Sequence, residues 1–589
     1  MADPFYHRPL NPAGDEIRLF VLLPAPRASP IRCRLETVPL SSAPNYDILT
    51  HLWGDTDTSE AITVNDTPSS ISEPIAAALR QLRPPSGTPR NLWINAVCVD
   101  QQDEKRWRLL PRIYAEARQL CVWMGESTAV ARDTGVSHLT PGFPRPGRDA
   151  RTPPRLSFVQ EAVLARRIVA VRGSNADEVT WETMGDSLWR EAEEGASPET
   201  QDFVRLYQFV KILRQKWSDG KRDFCPYGLL YEFRWLACEN PRDRIYGFLN
   251  LAPRILEAGV APNYNTTTIS TTHIYADFAR KMTQHTGCVD VLNYVRQRRS
   301  PAPTPDTTTA EKAAAATDDL PSWAPNWSAS HAHDPTPLLD WLDDASPRYC
   351  AAKLLPAQIQ PHPDPNTLVL NGIRFDEVAA LGTPWHPDPS TNHPPASRMG
   401  IDALEQWEAL ALATPVSCPY GGTASGRRAA LWRTYIGDFA GERRAPAADA
   451  AVLERWYGYG LEAVAEKKKK QQQQQPSWNP FRSLGEHLRL HKRDAGAEGV
   501  DYVRRIQLAC AHRRLLVSKR GYIGLAPGHA VLGDVVAVLH GGSTPFLLRP
   551  GAVPGVYSLV GECFVYGIMG GEALAWENAA AAARDFRIV

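Results

Sequence analysis

The run LWINAVCV at residues 92–99 is apolar on both alternating faces except at Asn95. A strand with no polar face has to be covered on both sides, which is the position of a central strand in a parallel, helix-covered sheet. YDILTHL at 46–52 and CVWMG at 121–125 have the same character. What lies between them reads as helix. SEPIAAALRQLRPP puts Ile75, Ala78, Leu79 and Leu82 on one stripe, with Ser72 as N-cap, Pro74 in the first turn and Pro84 as stop. DQQDEKRWRLLPRIYAEARQL carries Leu109, Leu110, Ile113, Tyr114 and Ala117 on a helical face. An interior proline costs about 3 kcal/mol or more, so that helix begins near Pro111 or kinks there. Strand, helix, strand, helix, strand is the βαβαβ order of an open parallel α/β sheet.

Around this core, EIRLFVLL (16–23) predicts an earlier strand and ITVNDTPSS a short hairpin or edge element. Residues 133–156, rich in Pro, Gly, Arg and Thr, read as a loop, followed by helical stretches around 157–171 and 180–215. WLACENPRDRIYGFLNLAP (235–253) predicts a helix with Asn240 as cap and Pro241 in the first turn, turning Ile245, Phe248 and Leu249 inward; THIYADFARKM adds further helix. Two low-complexity stretches, 300–319 and 466–476, have nothing to bury. In the last hundred residues RRLLVS, YIGLA, DVVAVLHGG, PFLLR and YSLVGECFVYGIM are short strands separated by glycine turns, the spacing of a small antiparallel β-barrel or sandwich. The predicted organisation is an N-terminal arm with a strand (1–45), the α/β domain (46–255), a helical extension (256–299), a linker (300–319), a mixed middle region (320–464), a Lys/Gln-rich linker (465–476) and a C-terminal region (477–589) with its β-domain from about 510.

At 589 residues the chain is too long for one core. Lysine plus arginine and aspartate plus glutamate number 65 each, so nothing global argues for nucleic acid or an anionic membrane. The first residues lack a basic segment followed by an apolar one, and no apolar run approaches the roughly 20 residues of a membrane span. Ten scattered cysteines without a CxxC pair indicate reduced thiols in a cytoplasmic protein.

Most short motifs carry no chemistry. GGTASGRR (421–428) has Arg427 and Arg428 where a phosphate loop needs lysine and a hydroxyl, and reads as a plain glycine loop. His487 with His491, and His331 with His333 and Asp334, lack a third ligand or a fixed frame, so no metal site is assigned. In open α/β sheets, sites form outside the carboxyl ends of strands. Trp53, Gly54 and Asp55, then Asp100, Gln101, Asp103 and Glu104, follow two of the predicted strands and share that edge. Caps and loop turns would also account for their carboxylates. In NPRDR (240–244), Arg242 and Asp243 either brace that edge or form a structural ion pair with a cap.

These residues carry a family likeness. YDILTHLWGD, ITVNDTPSSISEPIAAALRQLR, LWINAVCVDQQDE, IYAEARQLCVWMGE and NPRDRIYGFLNLA stand in the order of the fungal heterokaryon-incompatibility (HET) domain, which the chain resembles over roughly residues 46–255. LPSWAPNWS (320–328), LWRTYIGD (431–438) and the C-terminal strands resemble the downstream signatures of large fungal HET proteins. The resemblance implies a TIR- or flavodoxin-like open parallel sheet in the HET domain, a helical middle region and a small antiparallel β-domain at the C-terminus. It also implies non-self recognition and programmed cell death, with other HET or NLR-type incompatibility proteins or further copies of the chain as partners.

Some TIR domains cleave NAD+ with a glutamate on a helix after the third strand. On that alternative NAD+ is a substrate, no cofactor is assigned, and Asp100 and Glu104 are the carboxylates at the carboxyl edge. A third alternative is a diverged, inactive regulator. The sequence departs from the family pattern: Asn95 stands where aspartate is usual, Asp100 where asparagine is usual, and Thr50 where serine is common. Glu126 comes too soon after its strand to sit on a helix, and the next glutamate is Glu161. The sequence therefore assigns a TIR-type glutamate to no position.

Overall fold

A computed structural model describes residues 10–11, 14–51, 59–99, 106–124, 154–171, 179–193, 198–265, 269–296, 320–329, 335–339, 348–352, 354–386, 398–413, 419–440, 443–444, 505–506, 508–576 and 579–589. These belong to two compact units, one drawn from 1–224, 232–254 and 261–265, the other from 225–231, 255–260 and 266–589.

The first unit is built on a mixed sheet. Its described strands are β1 (Glu16–Leu22), β2 (Arg32–Pro39), β3 (Asp47–His51), β4 (Ser59–Val64), β5 (Thr67–Ser72), β6 (Arg90–Trp93), β7 (Leu120–Trp123), β8 (Ile168–Val171) and β9 (Val179–Thr180). They lie in the order β5-β4-β2-β1-β6-β3-β7-β8-β9. β6, β3, β7 and β8 are mutually parallel, so the parallel set runs second, first, third, fourth in chain order. The expected parallel sheet is thus only the centre of a mixed one. β1 closes one side by pairing antiparallel with both β2 and β6, and β9 closes the other antiparallel to β8. The outermost strand, β5, is short and polar and contains Pro68, features that discourage pairing with another chain.

Helices α1 (Glu73–Leu82) and α3 (Leu110–Glu116) form where the apolar spacing and prolines predict them. Ser72 occupies the N-cap of α1, but its hydroxyl makes no cap bond and is buried without a partner. Pro74 sits at the second helical position and has no N–H, which removes one of the two donors such a cap can reach. Two further expectations are corrected. LWINAVCV is not one strand: it leaves the sheet at Trp93 and coils into a turn of helix, α2 (Asn95–Cys98), that buries Val97 and Cys98. The Cys98 amide returns to the Ile94 carbonyl at 2.7 Å, and Arg18 donates to the Cys98 carbonyl at 3.3 Å. A short apolar run does not distinguish a buried strand from a buried helical turn. Residues 157–171 are likewise not all helix: α4 (Ser157–Leu164) ends at Leu164 and the β-branched run at 168–171 is β8. Helices α5 (Trp181–Glu193) and α6 (Pro198–Ser218) follow, and Arg214 of α6 donates to the Ala165 carbonyl at 2.8 Å, closing the end of α4.

The lower edge of the parallel strands is held by charge. Asp47, 1% exposed, accepts from Arg90 (2.9 and 2.6 Å) and from Arg118 (2.7 and 2.5 Å), tying the starts of β3, β6 and β7 together. Tyr114 of α3 packs edge-on against Trp93 of β6 at 5.6 Å, fixing the helix on the sheet.

In the second unit, the strands are β10 (Ile359–Gln360), β11 (Leu368–Leu381), the two-residue ribbon β12 (Phe439–Ala440) and β13 (Arg443–Arg444), then β14 (Arg513–Ser518), β15 (Ile523–Pro527), β16 (Val535–Leu539), β17 (Phe546–Pro550), β18 (Val556–Glu562), β19 (Phe564–Val565) and β20 (Ala583–Ile588). Every C-terminal strand expected from the sequence is present. The long β11 pairs with β20, β16 and β14 in turn, so β11, β16, β17, β18 and β20 close into a ring. One contact in it, β18 to β20, is parallel. Arg513, which begins β14, donates to Glu562 at the end of β18 at 2.7 Å, with neither residue exposed beyond 1%. GGTASGRR is a loop only over 421–423: Ala424 to Arg428 open a helix instead, capped by Thr423, which accepts from the Gly426 amide at 3.0 Å. Nine described cysteines are free thiols, and among the described residues no His, Cys, Asp or Glu group is arranged to hold a metal. None of the described helices is long and apolar enough to cross a membrane.

Candidate functional site

Trp53, Gly54, Asp55, Asp100, Gln101, Asp103 and Glu104 lie outside the described residues, as do His331, His333, Asp334, His487 and His491. Arg242 and Asp243 are described. They open a four-residue helix, Asp243–Tyr246, far shorter than the one expected, and Asn240 supports it by accepting from the Arg242 amide at 3.1 Å. Arg242, buried, donates to the Asn263 carbonyl at 2.8 Å; Asp243 accepts from the Tyr264 hydroxyl at 2.5 Å. Ile245, Phe248 and Leu249 do turn inward.

Polar side chains gather at the carboxyl end of the parallel strands, where register places His51 beside Trp123 and Trp123 beside Val171. β3 ends in Thr50 and His51. Opposite stands α4, whose residues from Phe158 to Leu164 are all buried, the pattern of a helix enclosed on every side. Within that apolar helix sits a carboxyl group, Glu161, 2% exposed. Burial pushes its pKa up, while the Thr50 hydroxyl, the Arg155 guanidinium and the Ser157 hydroxyl pull it back. Its Oε2 has no hydrogen-bond partner among the described residues. A buried carboxyl oxygen left open in this way is costly and calls for a partner such as a water, an ion or a ligand.

His51 is 7% exposed, and burial, helped by the neighbouring Arg155, lowers its pKa to about 4. It is a neutral imidazole at physiological pH. Arg155 approaches it with Nη1 at 3.3 Å from Nε2, so Nε2 is the acceptor and the ring proton is on Nδ1. The other side of the guanidinium meets Glu239 at 3.0 Å. Behind Glu161, Gln160 accepts from Asn250 at 3.2 Å, and the Tyr114 hydroxyl lies close enough that Glu161 raises its pKa further. Thr50, His51, Arg155, Ser157 and Glu161 thus form one polar nest at the edge where the order of the parallel strands reverses, the place where open α/β sheets hold ligands.

The sequence held the signal for Glu161: one acid inside FVQEAVL, a segment whose only other polar residue is Gln160. The long segment after Glu126 disguised that α4 is the helix lying between the third and fourth parallel strands. His51 and Arg155 carried no sequence signal, because their role comes from meeting across 104 positions of chain.

An α/β unit with a polar nest at its carboxyl edge and a unit holding a closed β-ring are joined in one chain, and each matches a family model. Residues 46–164, from β3 to the end of α4, match the family described as heterokaryon incompatibility protein (HET), and residues 413–589 match the Het-6 β-barrel domain. The chain is a HET domain-containing protein. It is similar to the Heterokaryon incompatibility protein 6, OR allele, of Neurospora crassa, with 24% identity over an alignment 680 positions long that covers 96% of this chain and 95% of that protein. No solved structure matches the chain. All five residues of the nest fall within the HET match.

Proposed function

We propose that this chain is a heterokaryon-incompatibility protein that takes part in non-self recognition and triggers programmed cell death through a TIR-like HET domain. The observation that carries the proposal is the full-length likeness to an incompatibility protein, with both the HET domain and the barrel matched in order. The second-first-third-fourth order of the parallel strands supports a TIR- or flavodoxin-like core. Its partners on this account are other HET or NLR-type incompatibility proteins, or further copies of the chain, in the cytoplasm.

Glu161 favours a second reading, cleavage of NAD+ at the carboxyl edge. The bond from ribose to nicotinamide breaks, its electron pair leaves with the neutral base, and water adds its hydroxyl to the anomeric carbon of the sugar while its proton passes to solvent. The chain's task is to hold the ribose hydroxyls and stabilise the positive charge that develops on the ring. On this reading Glu161 is the carboxyl that does so, with Asp55, Asp100 and Glu104 as further candidates on the same edge. Incubating the purified full chain with NAD+ and following nicotinamide release tests it, beside the variants Glu161→Gln, Asp100→Ala and Glu104→Ala. Turnover that survives Glu161→Gln would remove Glu161 from the chemistry. No turnover at concentrations that drive self-assembly would leave a scaffold. For the signalling proposal, full-chain expression in a fungal host with no loss of viability would count against it.

A further inference from the structure

We infer that Arg155 is the seat for a ligand's anionic group at the carboxyl edge, and that Glu239 is a built-in competitor occupying that seat until a ribose phosphate displaces it. The inference rests on the proposal that this edge binds a ligand, and it names the ligand's class and the contact that holds the site closed.

The backbone of Arg155 is fixed before its side chain is considered. The Ala237 amide donates to the Pro154 carbonyl at 2.8 Å, and the Leu156 amide donates to the Ala237 carbonyl at 2.9 Å, a lone parallel bridge that clamps Arg155 on both sides. The guanidinium is therefore aimed, with Nη1 spent on His51 at 3.3 Å and Nη2 facing outward to Glu239 at 3.0 Å. Glu239 stands two residues beyond the bridge, so the same clamp delivers the competing carboxylate. The two partners differ in exposure: the Arg155 side chain is 31% exposed and that of Glu239 72%. A carboxylate so well solvated is held weakly, whereas a planar guanidinium takes a phosphate through paired, charge-assisted bonds.

The buried carboxyl of Glu161 lies within the electrostatic reach of Arg155 yet does not take over as its counter-ion. Its open Oε2 instead can pair with a hydroxyl, which both donates and accepts. An anion for Arg155 and a hydroxyl for Glu161 are the two ends of a ribose phosphate. A lone phosphate satisfies only the first.

Calorimetric titration of the full chain with ADP-ribose and, separately, inorganic pyrophosphate tests this. An exposed ion pair of this kind is worth at most about a factor of five in binding, so Glu239→Gln is expected to tighten both probes about two- to fivefold. Arg155→Gln is expected to lose at least tenfold for both, with Arg155→Lys in between and thermal melting confirming that each variant folds. Glu161→Gln is expected to weaken ADP-ribose while leaving pyrophosphate unchanged. Equal or weaker binding after Glu239→Gln, full binding after Arg155→Gln, or no binding of either probe by the wild type and Glu239→Gln would overturn the inference. Nicotinamide release is read separately, so a chain that binds pyrophosphate through Arg155 but never cleaves NAD+ refutes the catalytic reading alone.

Discussion

Acidification should destabilise the HET unit through one side chain, His51. In the fold its pKa lies at about 4, whereas an unfolded histidine titrates near 6.5. Between these values the unfolded chain takes up a proton that the folded chain refuses, so stability is full above pH 6.5 and falls as the pH drops. Integrating the two titrations gives a loss of about 2 kcal/mol by pH 5 and about 3 kcal/mol by pH 4. Glu161 acts in the opposite sense, because its raised pKa lets the fold hold a proton that the unfolded chain has released. A difference measurement removes that contribution. Urea denaturation of the full chain and of His51→Gln, followed by fluorescence at pH 7, 5 and 4, should show the variant's HET-unit stability falling less steeply by those amounts. The substitution also costs some stability at every pH, but that offset does not change with pH. If wild type and variant lose stability in parallel from pH 7 to 4, His51 is not a buried neutral imidazole and the nest is wrongly drawn.

Asp47→Ala leaves Arg90 partly buried without its counter-charge and should cost roughly 3 kcal/mol in urea unfolding, whereas Arg118→Met, at a side chain 57% exposed, should cost under about 1 kcal/mol. Glu562→Gln in the barrel should cost about 3 kcal/mol, and the double change Arg513→Met with Glu562→Leu should recover most of it; a double variant as unstable as the single one would mean the pair is a net stabiliser. At Gly524 an added Cβ would come within 2.1 Å of the Phe564 carbonyl oxygen. Gly524→Ala should therefore lower the barrel's thermal midpoint, at a cost of roughly 1–3 kcal/mol, and an unchanged midpoint would place β19 farther away.

The sheet core was legible where periodicity and stop signals agreed. The stripe Ile75, Ala78, Leu79 and Leu82 is buried as expected, and Pro111 sits in the first turn of α3. Legibility failed where apolar character was uniform: LWINAVCV looks like one strand because a buried helical turn and a buried strand select the same residues. The same ambiguity hid β8 behind α4. β11, a strand of 14 residues that closes the barrel ring, was missed because it lies more than 150 residues before the ring strands it joins. For the site, sequence reasoning pointed to the carboxyl edge, and the residues it named there lie outside the described residues. Strand ends can be read from local pattern, whereas the meeting of Thr50, His51, Arg155 and Glu161 is a product of the parallel crossovers.

That the polar nest around Glu161 serves the proposed death signal is tested most directly by growth of a fungal host expressing the full chain. Wild-type protein is predicted to arrest growth, and Glu161→Gln, at equal protein level and with an unchanged melting temperature, is predicted to abolish the arrest. Arrest by Glu161→Gln as strong as that by the wild type would contradict the claim.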